Sequence, residues 1–422
     1  MIGMRKLFCA LFVVVLLLSA CDTPPEKGEK QPVETVSLTI RNPKVEIASG
    51  FEEMVDVYEE THPHVHIQVE TVGGVSDDFA DLKTQMAVGE GPDIFTNVGY
   101  TATEDWIRYL EDLSDESWVA DAREGTLDPI TVGGKVYGMP MNIEGFGIVY
   151  NKVLFQKAGI KELPGTFTEL EKAAAQLEKI GVTPFANGYY EEWKLGHHLT
   201  SLAFAEQSDP EAFMSDLAKG KASFKDDVGF HNMLRFLDLT LAYGNAHAAT
   251  TDYYAEMEAF QNEEAAMIVQ GNWVEPLLAK QAPNLHAGMF PIPLDDEGNA
   301  QLVTGVPSYW VVNKQSGAAE KREAKRFLQW LTESEQGQTY QTEKLRFIPA
   351  FRSVQPPESS LGGDAWRQYD QQERRNFNWS SYSPPMKEAF GRILKQYVNE
   401  EMSKQDALQD LDHAWRQNSS SH

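Results

Sequence analysis

Cysteine is almost missing from this chain: its 422 residues include only Cys9 and Cys21. Two cysteines this close to the amino terminus cannot staple a fold of such length, so the core has to hold through buried apolar surface. Positive charge is also scarce. Lys and Arg number 37 against 63 Asp and Glu, a formal net charge of −26 at pH 7. Such a surface repels nucleic acid and anionic membrane, and no nucleic-acid partner is expected. Beyond Leu18, no apolar run approaches the roughly 20 residues of a spanning helix. There is no internal repeat. Walker loop, nucleophile elbow, zinc motif and dinucleotide fingerprint are absent, so no cofactor, metal or catalytic residue is expected.

The first 35 residues carry a different kind of information. Arg5 and Lys6 form a positive start, Leu7 to Leu18 an apolar segment too short to span, and Ser19 and Ala20 are small. The run Leu18-Ser19-Ala20-Cys21 resembles a bacterial lipobox. That resemblance implies a signal peptide over 1–20, acylation of Cys21 with palmitate-like chains, and a lipid anchor on the extracytoplasmic face of the cell membrane. Residues 21–35 read as a lipidated tether. Asp22 to Thr35 has three prolines, several charges and Val33 as its one sizeable apolar side chain, too little to bury for an ordered state. Cleavage would remove Cys9 and leave Cys21 acylated, so the exported protein would contain no disulfide.

The rest is long enough for more than one domain. Val36, Leu38 and Ile40 alternate as a strand; Phe51, Met54, Val55 and Tyr58 share a helix face; Val65, Ile67 and Val69 alternate again. A helix pattern over Asp78 to Val88 stops at Gly89-Glu90-Gly91-Pro92, and Asp93-Ile94-Phe95 opens a third strand. The order β-α-β-α-β predicts an α/β lobe with a mostly parallel sheet. A second unit begins at Pro164. Thr166 and Glu169 have capping-box spacing; Leu170, Ala173, Ala174 and Leu177 form the buried face; Gly181 ends the helix. Helical patterns recur over Leu199 to Phe204, Phe230 to Leu241, Met257 to Phe260 and around Ala324, and from Pro385 to Trp415.

Several segments, in consistent order, carry a family resemblance. MPMNIEGFGIVYNK from Met139 to Lys152 is followed by Phe155, Gly159, Pro164 to Leu170 and Gly181-Val182-Thr183-Pro184. Gly91-Pro92-Asp93-Ile94 lies before them, and FQNEEAAMIVQGNW from Phe260 to Trp273 after them. Over about residues 36 to 350 the chain resembles the family 1 extracellular solute-binding proteins of ABC importers, many of which bind sugars. One departure is Asn262-Glu263-Glu264, where a glycine-containing turn is common in the family.

The resemblance implies a two-lobed α/β fold of the periplasmic-binding-protein kind (type II, similar to maltose-binding proteins), with discontinuous lobes and a ligand cleft at the hinge. By analogy the first lobe takes residues 36–141 and 307–348, and the second 142–306 and 349–418. Chain crossings are expected near Pro140 to Glu144, Val306 to Trp310 and Arg346 to Phe351. Closure around ligand would be a hinge motion. The implied partners are a small molecule, expected to be a carbohydrate, and the permease subunits of the importer, with the binder itself a monomer.

Trp273 is the leading ligand candidate, with Asn272 beside it, because the family commonly stacks an aromatic on a sugar ring at this position. A flat indole covers the C–H face of a pyranose, and Asn, Asp and Glu bond its hydroxyls. The other aromatic candidates are Trp193, in a polar surround; Tyr309 and Trp310, next to Pro307-Ser308; and Trp379, between asparagine and serine. Asn97 and Tyr100 follow the third strand, where open α/β sheets place ligands. Asn142 and Glu144 lie at the first crossing, and Glu46 after the first strand. Arg346 and Arg352 would suit an anionic ligand. His62-Pro63-His64-Val65-His66 has strand spacing for a metal, but the apolar residues of that strand belong to the core and leave the histidines in water. Glu144, Glu191 and Glu192 keep a glycoside hydrolase open as the alternative, although no motif pairs them.

Overall fold

The computed structural model describes residues 35–73, 78–357, 361–371, 375–377 and 381–419. Cys21, the tether and Trp379 lie outside the described residues. The folded part is two-lobed, and each lobe is organised around a sheet.

In the first sheet, Val36–Asn42 lies between two parallel neighbours, Val65–Thr71 and Ile94–Asn97. Tyr309–Val312 then pairs antiparallel with Ile94–Asn97, and Met139–Pro140 pairs antiparallel with Tyr309–Val312. Met139–Pro140 therefore runs with the first three, and only Tyr309–Val312 is reversed. The parallel part follows from the local strand-helix-strand order. The reversed strand comes from a remote part of the chain, and the local order of elements does not place it beside Ile94–Asn97.

The helix Ala48–Thr61 buries Phe51, Met54, Val55 and Tyr58, the face read from its spacing. Each such side chain contributes about 1.5–3 kcal/mol on leaving water. Phe51 stacks on Trp310 at 5.3 Å, and the Tyr58 hydroxyl donates to Glu323 at 2.6 Å. The helix holding Glu323, Ala318–Glu333, buries Ala324, Phe327, Leu328 and Leu331.

The second sheet is centred on Glu144–Asn151, every residue of which is buried. A strand covered on both faces reads as a continuous apolar run rather than an alternation. It pairs antiparallel with Ala265–Gly271 on one side, and with Ala287–Phe290 and Val303–Gly305 on the other. Thr183–Ala186 joins Ala265–Gly271 in parallel, and Arg375–Asn376 joins Val303–Gly305. The helix Phe167–Lys179 begins with both halves of the Thr166–Glu169 capping box and ends ahead of Gly181, at φ +79°. Before Ala265–Gly271 the chain turns without glycine: Glu263 takes the left-handed conformation at φ 60°.

The chain passes between sheets after Met139–Pro140 and again after Val303–Gly305, and bridges join Ile143 to Ile348 and Ala122 to Phe351. One hydrophobic cluster includes the first sheet with its helices and extends to Val149, Ile268 and Met289 of the second sheet. Another, including Phe204, Phe224, Phe230, Phe390 and Trp415, lies beyond the second sheet.

Candidate ligand-binding site

The second sheet supplies an aromatic surface. Ala265–Gly271 ends in a short turn, Asn272–Val274, and the Gly145 N–H donates to Asn272 Oδ1 at 2.7 Å. A Cβ on Gly271 would sit 2.0 Å from the Trp273 ring, so the missing side chain is what lets the half-buried indole fold back over the strand end. There it lies nearly parallel to Phe146 (6.0 Å, 13°) with His198 at 5.0 Å. Its Nε1–H donates to Gln270 Oε1 at 3.0 Å. Gln270 Nε2 donates to Glu256 Oε2 at 2.7 Å, and Lys194 Nζ reaches the same oxygen at 2.5 Å. Burial pushes the Glu256 carboxyl up, and Lys194 opposes that shift. Burial pushes the His198 imidazole down to about 3, with Lys194 and Lys44 adding to the effect, so it is neutral near pH 7.

The first lobe contributes a polar edge. Lys44 and Glu46 lie just after Val36–Asn42, Glu46 within the turn Val45–Ile47. The Tyr253 hydroxyl donates to Glu46 at 2.8 Å, and Lys44 Nζ bonds Glu144 at 2.5 Å. Burial pushes the Glu46 carboxyl up, opposed chiefly by Lys44. Glu46, Glu191, Trp193, Tyr253 and Tyr254 line a cavity of about 160 Å³. Glu191 is only 7% exposed; its Oε1 accepts the Tyr253 N–H at 3.1 Å, and its Oε2 is buried without a hydrogen-bond partner among the described residues. A buried carboxylate oxygen in that state wants a donor. A second cavity, about 140 Å³, is lined in part by Tyr100, Asp128, Gly305, Tyr309 and Tyr369.

The sequence candidates therefore separate. Glu46 and Trp193 share one cavity, and Tyr100 and Tyr309 the other. Tyr100 is strained, at φ 50°, and 37% exposed, whereas Tyr309 is buried with its hydroxyl bonded to the Thr126 carbonyl at 3.0 Å. Trp310 requires correction as a ligand contact. At 2% exposure and stacked on Phe51, it belongs to the first-lobe core, because Tyr309 to Val312 is a buried strand and not a loop.

Asn97 spends its side chain on the turn after its strand, accepting from the Gly99 N–H at 2.8 Å and donating to the Ala102 carbonyl at 3.1 Å. Asn142 is buried and donates to Glu144 at 3.1 Å. The histidines diverge: His62 stacks on Tyr58, His64 approaches Glu323, and His66 approaches Glu59. Arg352 is exposed and bonds the Ala120 carbonyl, and Arg346 lines a separate surface hollow. Lys44, Lys194, Tyr253, Glu256 and Gln270 were not singled out from sequence. Lys194 next to Trp193, Lys44 two residues before Glu46, and Gln270 within the FQNEEAAMIVQGNW segment each offered a local signal, whereas Tyr253 and Glu256 offered none.

A family model described as bacterial extracellular solute-binding protein matches residues 53–369. The multiple sugar-binding protein of Streptococcus mutans is 25% identical over 336 residues, 77% of each chain. The melibiose/raffinose/stachyose-binding protein of Bacillus subtilis is 22% identical over 338 residues, 76% of each. Among solved structures, a raffinose complex of the binding protein RafE superposes with a TM-score of 0.75 at 24% identity, covering 91% of this chain and 100% of that one. A chitin oligosaccharide binding protein gives 0.77 at 20% identity, with 92% and 100% covered. At these identities the superpositions establish a shared two-lobed fold.

Proposed function

The chain belongs to the bacterial extracellular solute-binding proteins, and on that footing we propose that it captures a carbohydrate between its lobes and delivers it to the membrane permease of an ABC importer. The first lobe comprises residues 36–141 and 307–348, and the second 142–306 and 349–418. Signal residues 1–20 are removed, and acylated Cys21 anchors a monomer on the extracytoplasmic face of the cell membrane.

The observation that supports the reading is a cavity in which Trp193 and Tyr253 meet Glu46 and Glu191, with Trp273 on the far side of His198, whose ring contacts both indoles. Indole and phenol faces cover the C–H faces of pyranose rings, and the carboxylates accept hydrogen bonds from hydroxyls. Glu191 Oε2, buried and without a partner among the described residues, gains a donor when a hydroxyl arrives. Named sugar binders among the relatives support the same class of ligand. On this reading the protein is a binder and not an enzyme; the sugar-binding relatives support that, and of Glu144, Glu191 and Glu192, the carboxylates a glycoside hydrolase would use, Glu144 is in an ion pair with Lys44.

A thermal-shift screen tests this. At a sugar concentration 100 times Kd, binding adds about 2.7 kcal/mol of stability, a clear rise in Tm. The expected outcome is a rise with at least one of raffinose, stachyose, maltotriose or chitobiose. No rise across a broad carbohydrate panel overturns the ligand class, and release of reducing sugar from glycosides overturns the non-enzymatic reading.

A further inference from the structure

We propose that the buried Lys194–Glu256 pair is the positioning element of the recognition surface, fixing Trp193, Tyr253 and Trp273 relative to one another before any ligand arrives. The inference rests on the binding reading for its purpose, but its geometry is independent of it.

Lys194 and Glu256 are 5% and 2% exposed. Desolvating such a pair costs several kcal/mol per ion, and apolar replacement of buried pairs is often neutral or stabilising. Stability alone is therefore a poor account of it, whereas its contacts supply a better one. Glu256 Oε2 receives Lys194 Nζ and Gln270 Nε2. With its amide nitrogen committed to the carboxylate, Gln270 has to direct Oε1 the other way, and Trp273 Nε1–H donates to it. A flipped amide would set an NH₂ against the indole N–H, donor against donor. Ammonium, carboxylate, amide and indole thus form one chain, and the indole's orientation follows from a charge at its far end.

The other two rings sit around the same ammonium. Lys194 Nζ is 5.6 Å from the Trp193 centroid and 5.2 Å from that of Tyr253, within cation–π range. Gly188 leaves space for it, since a Cβ there would lie 2.6 Å from Nζ. The participants come from three separate elements: Lys194–Leu199, Tyr253–Gln261 and Ala265–Gly271. Local geometry, such as the turn after Gly271, orients each ring only within its own segment, and the ion pair ties the three segments to one another. Aromatic groups held in place beforehand lose less entropy on binding.

The test uses the full chain with ¹⁵N-indole tryptophan, the Trp273 signal being identified by its loss in Trp273→Phe. The double replacement Lys194→Met with Glu256→Leu removes both charges at similar volume. The expected result is a retained cooperative thermal transition, a shifted Trp273 resonance with faster indole N–H exchange in the ligand-free protein, and raffinose binding about tenfold weaker by calorimetry, the size of one lost hydrogen bond. An unmoved Trp273 resonance together with unchanged affinity overturns the proposal. Should the double replacement fail to fold, Gln270→Leu cuts the chain at the amide and is expected to give the same indole signature; an unchanged indole there is equally fatal. If the wild-type protein binds no carbohydrate, the ligand-free indole measurement still decides positioning, and only the carbohydrate reading falls.

Discussion

The two sides of the cleft use the same residue types in different ways. On the second-lobe side a lysine–glutamate pair, Lys194–Glu256, is internal and bonded into a run of side chains that ends on Trp273. On the first-lobe side Lys44 pairs with Glu144, a residue of the opposite sheet, while Glu46 accepts from Tyr253, also from the other side. One pair orders a surface; the other group of bonds joins two surfaces. On the proposed reading the contrast divides the work: a fixed aromatic wall for sugar ring faces, and a polar edge whose partners exchange for ligand hydroxyls.

The contrast is most open to attack at the wall. Trp273→Ala should weaken carbohydrate binding by about 2 kcal/mol or more, roughly 30-fold, as hot-spot aromatics do. Gly271→Ala should approach the same loss without touching the indole. Its φ of −120° suits alanine, but the new Cβ would stand 2.0 Å from the Trp273 ring and 2.4 Å from the Gly145 carbonyl oxygen. Calorimetry on both variants decides; full affinity in either would remove the wall from the comparison.

A smaller effect concerns the polar edge. Burial raises the Glu46 carboxyl above its ordinary value of 4.5. Between the unfolded and folded values the native state binds more protons than the unfolded state, so stability falls as pH rises through that range. Glu46→Gln has no such titration. Its Tm relative to wild type should therefore increase from about pH 4 to about pH 7, and a constant difference would show that Glu46 is not buried enough to matter. The smallest effect lies away from both sides. Thr166→Ala removes the cap of Phe167–Lys179 and should cost about 1 kcal/mol in chemical denaturation with no change in sugar affinity.

Local periodicity disclosed much of the architecture. Val36, Leu38 and Ile40, the face from Phe51 to Tyr58, and the Thr166–Glu169 box each involve neighbours a few residues apart, and each reads correctly. Tyr309 to Val312 had a signal that was outweighed: four consecutive apolar residues mark a buried strand, but Pro307-Ser308 just before them suggested a loop. The polar constellation was mostly illegible for a different reason. Lys194 meets Glu256 across 62 residues and Glu46 meets Tyr253 across 207. Such pairs depend on how elements dock, which no short-range pattern records. Glu263 shows the limit from the other direction, since the turn it occupies forms at φ 60° with no glycine to announce it.

The single reversed strand of the first sheet also constrains the order of assembly. Ile94–Asn97 exposes an open edge until Tyr309–Val312 arrives, and the pairing of Asn97 with Tyr309 closes a loop that contains every strand of the Glu144–Asn151 sheet except Arg375–Asn376. A chain emerging amino end first cannot finish its first lobe until most of the second has been made. Contacts this distant fold slowly, and an unpaired edge held open in the meantime invites pairing with another copy. The lobe begun earliest is thus among the last to be completed, and its open edge marks where a stalled chain is most vulnerable to aggregation.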